Sequence, residues 1–256
     1  MMTVVRGFEE LVAEASAVDV SGWGFGWLEG RATEKRPPWG YARLMAQRLA
    51  GAQTALDIDT GGGEVLAEAP VFPPHLCATE GWPPNVQRAR RVLSPRGGQV
   101  VAASPGRLLP FADAAFDLVT SRHPVVPGWA EIARVLADGG TYLAQHVGPA
   151  SAFELIEYFL GPLPEHRAGR DPLAEAAAAR AAGLDVVDLR TARCRMEFHD
   201  IGAIVYILRK CVWWVPDFTV ERYRGTLARL DAQIRVDGPF VARSTRHLID
   251  ARRSPR

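Results

Sequence analysis

Apolar residues in this chain come in short bursts, separated by stretches where they fall three and four positions apart. From Gly40 to Ala50 they are Tyr41, Leu44, Met45 and Leu49, the spacing of an amphipathic helix. Leu56 to Ile58 then predicts a strand, and "HLCAT" (75–79) a second that ends at Glu80. "PPNVQRARRVL" (83–93) reads as a helix whose prolines are tolerated in its first turn. "QVVAAS" (99–104) and "FDLVTS" (116–121) predict two more strands. "WAEIARVLA" (129–137) predicts a helix stopped by Gly139-Gly140, and "TYLAQHV" (141–147) a fifth strand. Strands and helices that alternate at such short intervals imply a parallel sheet covered on both faces.

The remainder is less regular. Asp171-Pro172 suits the cap and first turn of an alanine-rich helix ending near Gly183. "LDVVDLRTARCRMEF" (184–198) is strand material, and "HDIGAIVYILRKCVWW" (199–214) an apolar helix opening at Asp200. Thr219 to Val236 predicts a charged helix and "RHLIDARR" (246–253) a last strand. No repeat or low-complexity linker interrupts the chain. The reading is therefore a single domain over 1–256, with an N-terminal cap segment at 1–50, a nucleotide-binding core at 51–150, and lid helices with the final strands at 151–256.

Charge and cysteine usage exclude several functions. The 30 basic and 29 acidic residues leave a net charge of +1 with no basic tract, so no nucleic-acid partner is expected. Cys77, Cys194 and Cys211 form no CxxC pair, which predicts buried thiols rather than a metal site or disulfide framework. The N-terminal stretch carries Glu9 and Glu10 where a signal peptide would be apolar, and no apolar run reaches membrane-spanning length. A cytoplasmic protein without a membrane partner is expected.

The chemistry concentrates around "TALDIDTGGGE" (54–64), which reads as strand, tight turn and helix start. That geometry brings backbone close to a nucleotide ligand, beyond the carboxyl ends of a parallel sheet. Taken with Glu80, "LPFADAAFDLV" (109–119) and "EIARVLADGGTYLAQ" (131–145), this stretch resembles the class I S-adenosylmethionine-dependent methyltransferases. The resemblance covers nearly the whole chain. It implies an α/β, Rossmann-like fold: a seven-stranded, mostly parallel sheet with helices on both faces, plus N-terminal and C-terminal helical cap segments.

By the same resemblance, Asp57, Gly61 and Gly63 would lie against the methionine part of the cofactor. Glu80 would accept from both ribose hydroxyls, and Trp82 would cover the adenine or ribose. Asp117 would be a structural acid. The chain also departs from the family. Asp59 stands where the turn usually has its first glycine, and Ser104-Pro105 where an acid usually meets the adenine amino group. His123, just after the fourth strand, is the candidate general base, because an unperturbed imidazole titrates near neutrality. His146 is a second candidate. Trp23, Trp27, Tyr206 and Trp213 are expected to line the acceptor side of the cavity.

Three functions follow. The first is methyl transfer from S-adenosylmethionine to a small-molecule substrate of specialised metabolism. The second is a cofactor-independent ring closure, elimination or rearrangement on the same scaffold, with Asp59 recruited to the vacated pocket. The third is a non-catalytic subunit that binds a protein partner or forms a homo-oligomer, using the apolar segment "AIVYILRKCVWWV".

Overall fold

The computed structural model describes residues 6–22, 24–106 and 108–254. In chain order the elements are α1 (Phe8–Ala17), β1 (Ala32–Glu34), α2 (Tyr41–Gly51), β2 (Thr54–Ile58), α3 (Glu64–Ala67), β3 (His75–Glu80), α4 (Pro83–Leu93) and β4 (Gln99–Ala102). They continue with β5 (Phe116–Arg122), α5 (Trp129–Val135), β6 (Leu136–Val147), α6 (Phe153–Leu160), α7 (Pro172–Ala181), β7 (Leu184–Phe198), α8 (Ile201–Lys210), α9 (Val220–Asp237) and β8 (Phe240–Arg253). The chain gathers into two compact units. One comprises Pro37–Pro149, Gly169–Ala192 and Thr245–Arg256, the other Met1–Arg36, Ala150–Ala168 and Arg193–Ser244.

Among the described residues eight strands hydrogen-bond in the order β1-β7-β8-β6-β5-β2-β3-β4, rather than the seven expected. The additional one is β1, three residues paired antiparallel with β7 from Ala32↔Phe198 to Glu34↔Met196. So short a strand has no alternation to read, and it lies in a segment expected to be a helical cap. The pairs β2/β3, β3/β4, β2/β5 and β5/β6 are parallel, as the alternating elements predict, and β6/β8 is antiparallel. Because β3 and β5 flank β2, the crossovers diverge on either side of it, which opens a crevice at its carboxyl end.

Both faces of this core are buried. Ala55 packs in one apolar cluster with Met45, Leu49, Leu66, Leu76 and Leu118, while its neighbour Leu56 packs in another with Val119, Tyr142, Ala144 and Ile249. Alternate side chains of β2 thus enter opposite layers, as a parallel strand requires. At the amino end, Asp117 Oδ2 accepts from the backbone N–H groups of Gln53 and Thr54, both at 3.0 Å. Thr54 Oγ1 accepts in return from the Asp117 N–H at 2.9 Å. That is the structural role expected of this acid.

One boundary differs instructively. The α5 helix ends at Val135, and Leu136 already pairs with Phe116 at the start of β6. The glycines read as a helix stop instead let the strand pass its neighbour. Gly139 has φ +75°, and a Cβ on Gly140 would meet the carbonyl oxygens of Ala137, Phe116 and Asp117 at 2.9–3.1 Å.

In the other unit α8 is apolar all round and buried among Leu11, Val12 and Ala15 of α1 and Leu227, Leu230 and Ile234 of α9. Burying each such leucine or isoleucine contributes about 1.5–3 kcal/mol, so this helix is its unit's core. Asp200 caps it, accepting from the Ala203 N–H at 2.8 Å.

Candidate functional site

Asp59, Glu80, Ser104 and His123 all lie at or just past the carboxyl ends of β2, β3, β4 and β5 respectively. The turn after β2 holds Gly61 at φ +64° and Gly63 at φ +82°. Only a residue without a Cβ adopts that conformation freely. Gly63 also lets α4 approach, since a Cβ there would lie 3.1 Å from Leu93. Asp59 has φ +56°, so it keeps the left-handed backbone a glycine would supply. Its Oδ2 accepts from the Val125 N–H at 3.3 Å, which ties the carboxylate to the loop after β5. Burial pushes its pKa up, the Val125 bond opposes the rise, and the negative Glu80 adds to it.

Behind it Asp57 is buried and accepts from the Thr120 hydroxyl at 2.6 Å. Burial raises its pKa to about 6 against that bond. Glu80 Oε1 accepts from the Trp82 N–H at 2.8 Å, and Oε2 has no hydrogen-bond partner among the described residues. The carboxylate is thus aimed by one oxygen and open at the other. Trp82 itself is 49% exposed, a ring free to cover a ligand. Ser104 is exposed two residues past β4. The adjoining loop is close to β3: a Cβ on Gly81 would lie 2.9 Å from Pro105 Cδ.

His123 sits in a network that sequence reasoning missed. The Trp39 Nε1–H donates to Gln145 Oε1 at 2.8 Å, and Gln145 Nε2 lies 3.1 Å from His123 Nε2. Indole nitrogen is only a donor, so it fixes the amide oxygen on its own side and turns the amide NH2 towards the imidazole. His123 Nε2 must then accept, which places the ring proton on Nδ1. A second proton would set N–H against N–H. Burial, with Arg122 and Arg246 adding to it, lowers the His123 pKa well below the usual imidazole value. Nδ1 has no hydrogen-bond partner among the described residues. The arrangement therefore suits a fixed hydrogen-bond donor, whereas the sequence marks His123 as a base. A strand glutamine carries no distinguishing signal, and Trp39 was not among the aromatics expected at the site. Nearby, Tyr41 donates to the Ser121 carbonyl at 3.0 Å, and Ser121 Oγ to the Ile58 carbonyl at 2.8 Å.

His146 is not placed for the same task. It is 1% exposed, with Nε2 3.0 Å from the Tyr142 hydroxyl and Nδ1 2.5 Å from Glu175 Oε2. The expected lid residues belong to the other unit. There Trp27 and Tyr206 stack with ring centroids 4.9 Å apart, Arg31 covers Trp27 at 4.1 Å, and the Tyr206 hydroxyl donates to the Gly24 carbonyl at 3.2 Å. Trp213 is 57% exposed. Trp23 lies outside the described residues.

An open parallel core with a left-handed glycine turn at its switch strand, and an acid ending the next, defines an α/β protein of Rossmann-like architecture. Residues 56–144 match the methyltransferase domain family. No curated protein matches the sequence. Among solved structures, a proposed methyltransferase from Bacillus halodurans is similar at 19% identity and TM-score 0.60, over 83% of this chain and 98% of that one. The [4+2]-cyclase SpnF is similar at 18% identity and TM-score 0.52, over 84% and 80%. A structure of a methyltransferase activator from Haloferax volcanii in complex with its proposed methyltransferase is similar at 20% identity and TM-score 0.51, over 98% and 100%. Residues 56–144 thus carry a methyltransferase-domain sequence, set in an α/β fold similar to that of these structures. No helix among the described residues is long and apolar enough to cross a membrane.

Proposed function

We propose that this protein binds S-adenosylmethionine and methylates a small-molecule acceptor. The observation that carries the reading is Glu80, whose Oε1 is held by the Trp82 N–H while Oε2 stays open beside the left-handed glycine turn. An ionised carboxylate so aimed accepts from two vicinal hydroxyls, the chemistry a ribose presents. When bound, the cofactor supplies an electrophilic methyl group. The chain's own residues orient and exclude: Gly61 and Gly63 admit backbone, Trp82 offers a covering ring, and His123 offers an Nδ1–H to an acceptor oxygen. Asp59 is compatible with this. Its bond to Val125 draws the carboxylate towards the β5 loop. With the His123 lone pair committed to Gln145, the acceptor nucleophile is one that needs no strong base, or one that Asp59 deprotonates.

Asp59 also favours a second reading, in which the pocket works without methyl transfer and this acid is the titrating group. A fold shared with a cyclase is consistent with that and shows no more than the scaffold.

Calorimetric titration with S-adenosylmethionine and its demethylated product decides between them. Micromolar binding weakened by Glu80→Gln supports methyl transfer. No binding by the wild-type protein removes that reading.

A further inference from the structure

On the strand beyond the candidate site lies a second cluster, independent of the proposed function. His146 of β6 and His247 of β8 are register partners across the antiparallel pair, with ring centroids 5.0 Å apart. Directly opposed residues share a face, so both imidazoles rise from one patch of sheet. Glu175, in the first turn of α7, comes down between them. Its Oε2 lies 2.5 Å from His146 Nδ1 and 2.9 Å from His247 Nε2. Asp171 sets that helix in place by accepting from the Leu173 and Ala174 N–H groups.

We propose that His146, Glu175 and His247 bind a divalent transition-metal cation of the zinc class. Three elements deliver one donor atom each to a common point, and these atoms all lie within 4.8 Å of one another. Two imidazoles and a carboxylate are the donor set that such ions take in open, three-ligand sites. Bonds of about 2.0–2.1 Å to the metal place tetrahedral ligands about 3.3 Å apart, so Glu175 withdraws by less than an ångström while the two imidazole nitrogens, within 4.8 Å of each other, close to the same spacing.

Hydrogen bonding alone accounts less well for the cluster. As a proton network it directs two N–H groups at one oxygen and leaves His247 Nδ1 buried with no hydrogen-bond partner. Burying the His146 imidazole against Trp129 and Tyr142, with His247 beside it, is costly unless something compensates. With a cation bound, the His146 proton moves to Nε2, and the Tyr142 hydroxyl 3.0 Å away turns to accept it. That is the outer-shell partner a metal-bound imidazole ordinarily has. The His247 proton moves to Nδ1, the ring nitrogen that makes no other hydrogen bond among the described residues. Glu175 keeps its side chain 16% exposed against 2% and 1% for the histidines, so the ion enters past it. A fourth position remains for water or an external ligand.

The test uses the full chain without an affinity tag, stripped with a chelator, then titrated with zinc by calorimetry and with cobalt by visible absorption. The expected result is one ion per chain, four-coordinate cobalt bands, and at least tenfold weaker zinc binding in Glu175→Gln and His247→Gln. Should those variants fail to fold, side-chain nitrogen NMR of the wild-type protein decides. Zinc is expected to shift His146 Nδ1 and His247 Nε2 and to leave His75, His166 and His199 unchanged. Absence of zinc binding by the wild-type chain, or binding that leaves His146 and His247 unperturbed, overturns the proposal.

Discussion

The side-chain amide of Gln145 dictates which nitrogen of His123 carries the proton, at a separation of 3.1 Å. It does so only because Trp39 has already claimed the amide oxygen. Reversing the polarity of that contact should reverse the histidine. Gln145→Glu offers an acceptor, so the His123 proton should move to Nε2 and its pKa should rise by about one to three through the added negative charge. Histidine nitrogen NMR across a pH titration reads both effects. A His123 that keeps its Nδ1–H form in Gln145→Glu refutes the assignment.

Asp57 links the site to stability. Burial raises its folded-state pKa to about 6, above the ordinary carboxylate value, so the native state binds this proton more tightly than the unfolded chain. The contribution is favourable below about pH 4 and is lost as the pH climbs through 6. Asp57→Asn keeps the acceptor for Thr120 and removes the charge. It should be more stable than wild type at pH 7–8 by about 1–3 kcal/mol, and the advantage should fade towards pH 4. Urea denaturation at both pH values measures it.

Asp59 separates the two functional readings. In a methyltransferase, Asp59→Gly removes a carboxylate and a Cβ from a left-handed position and should hold or improve S-adenosylmethionine affinity. In a repurposed pocket, Asp59→Asn should abolish turnover while the fold survives. Affinity and turnover of both variants, beside wild type, give opposite patterns for the two cases.

Gly140 tests the tight passage at the start of β6. Gly140→Ala sets a methyl group against the carbonyls of Ala137 and Phe116, with no flexible side chain to yield. A loss of about 2–4 kcal/mol is expected. A variant that melts with wild type would show that this backbone moves apart readily.

The parallel core was legible because β2, β3, β5 and β6 are apolar runs bounded by glycine, proline or acid, and burial on both faces demands that pattern. The turn at Asp59 and the aimed Glu80 could be located from their order along the chain. What stayed hidden was pairing at a distance. Nothing in "TYLAQHV" says that Gln145 meets Trp39, 106 residues earlier. Nor does "RHLIDARR" announce that His247 will stand across from His146. The β1 strand was missed because its three residues gain their identity from β7 and not from themselves.

The reciprocal bonds between Thr54 and Asp117 sit at the end of the sheet away from the ligand, yet they calibrate it. Each strand is a ruler with about 3.3 Å between marks, and these bonds align the zero of β2 with that of β5. From there the count runs up both strands to Asp59 and His123. A slip of one mark at the base would carry the two residues out of step and turn alternate side chains to the wrong face. Thr54→Val should therefore be felt at the far end of the sheet, as a misreading of distance rather than a missing contact.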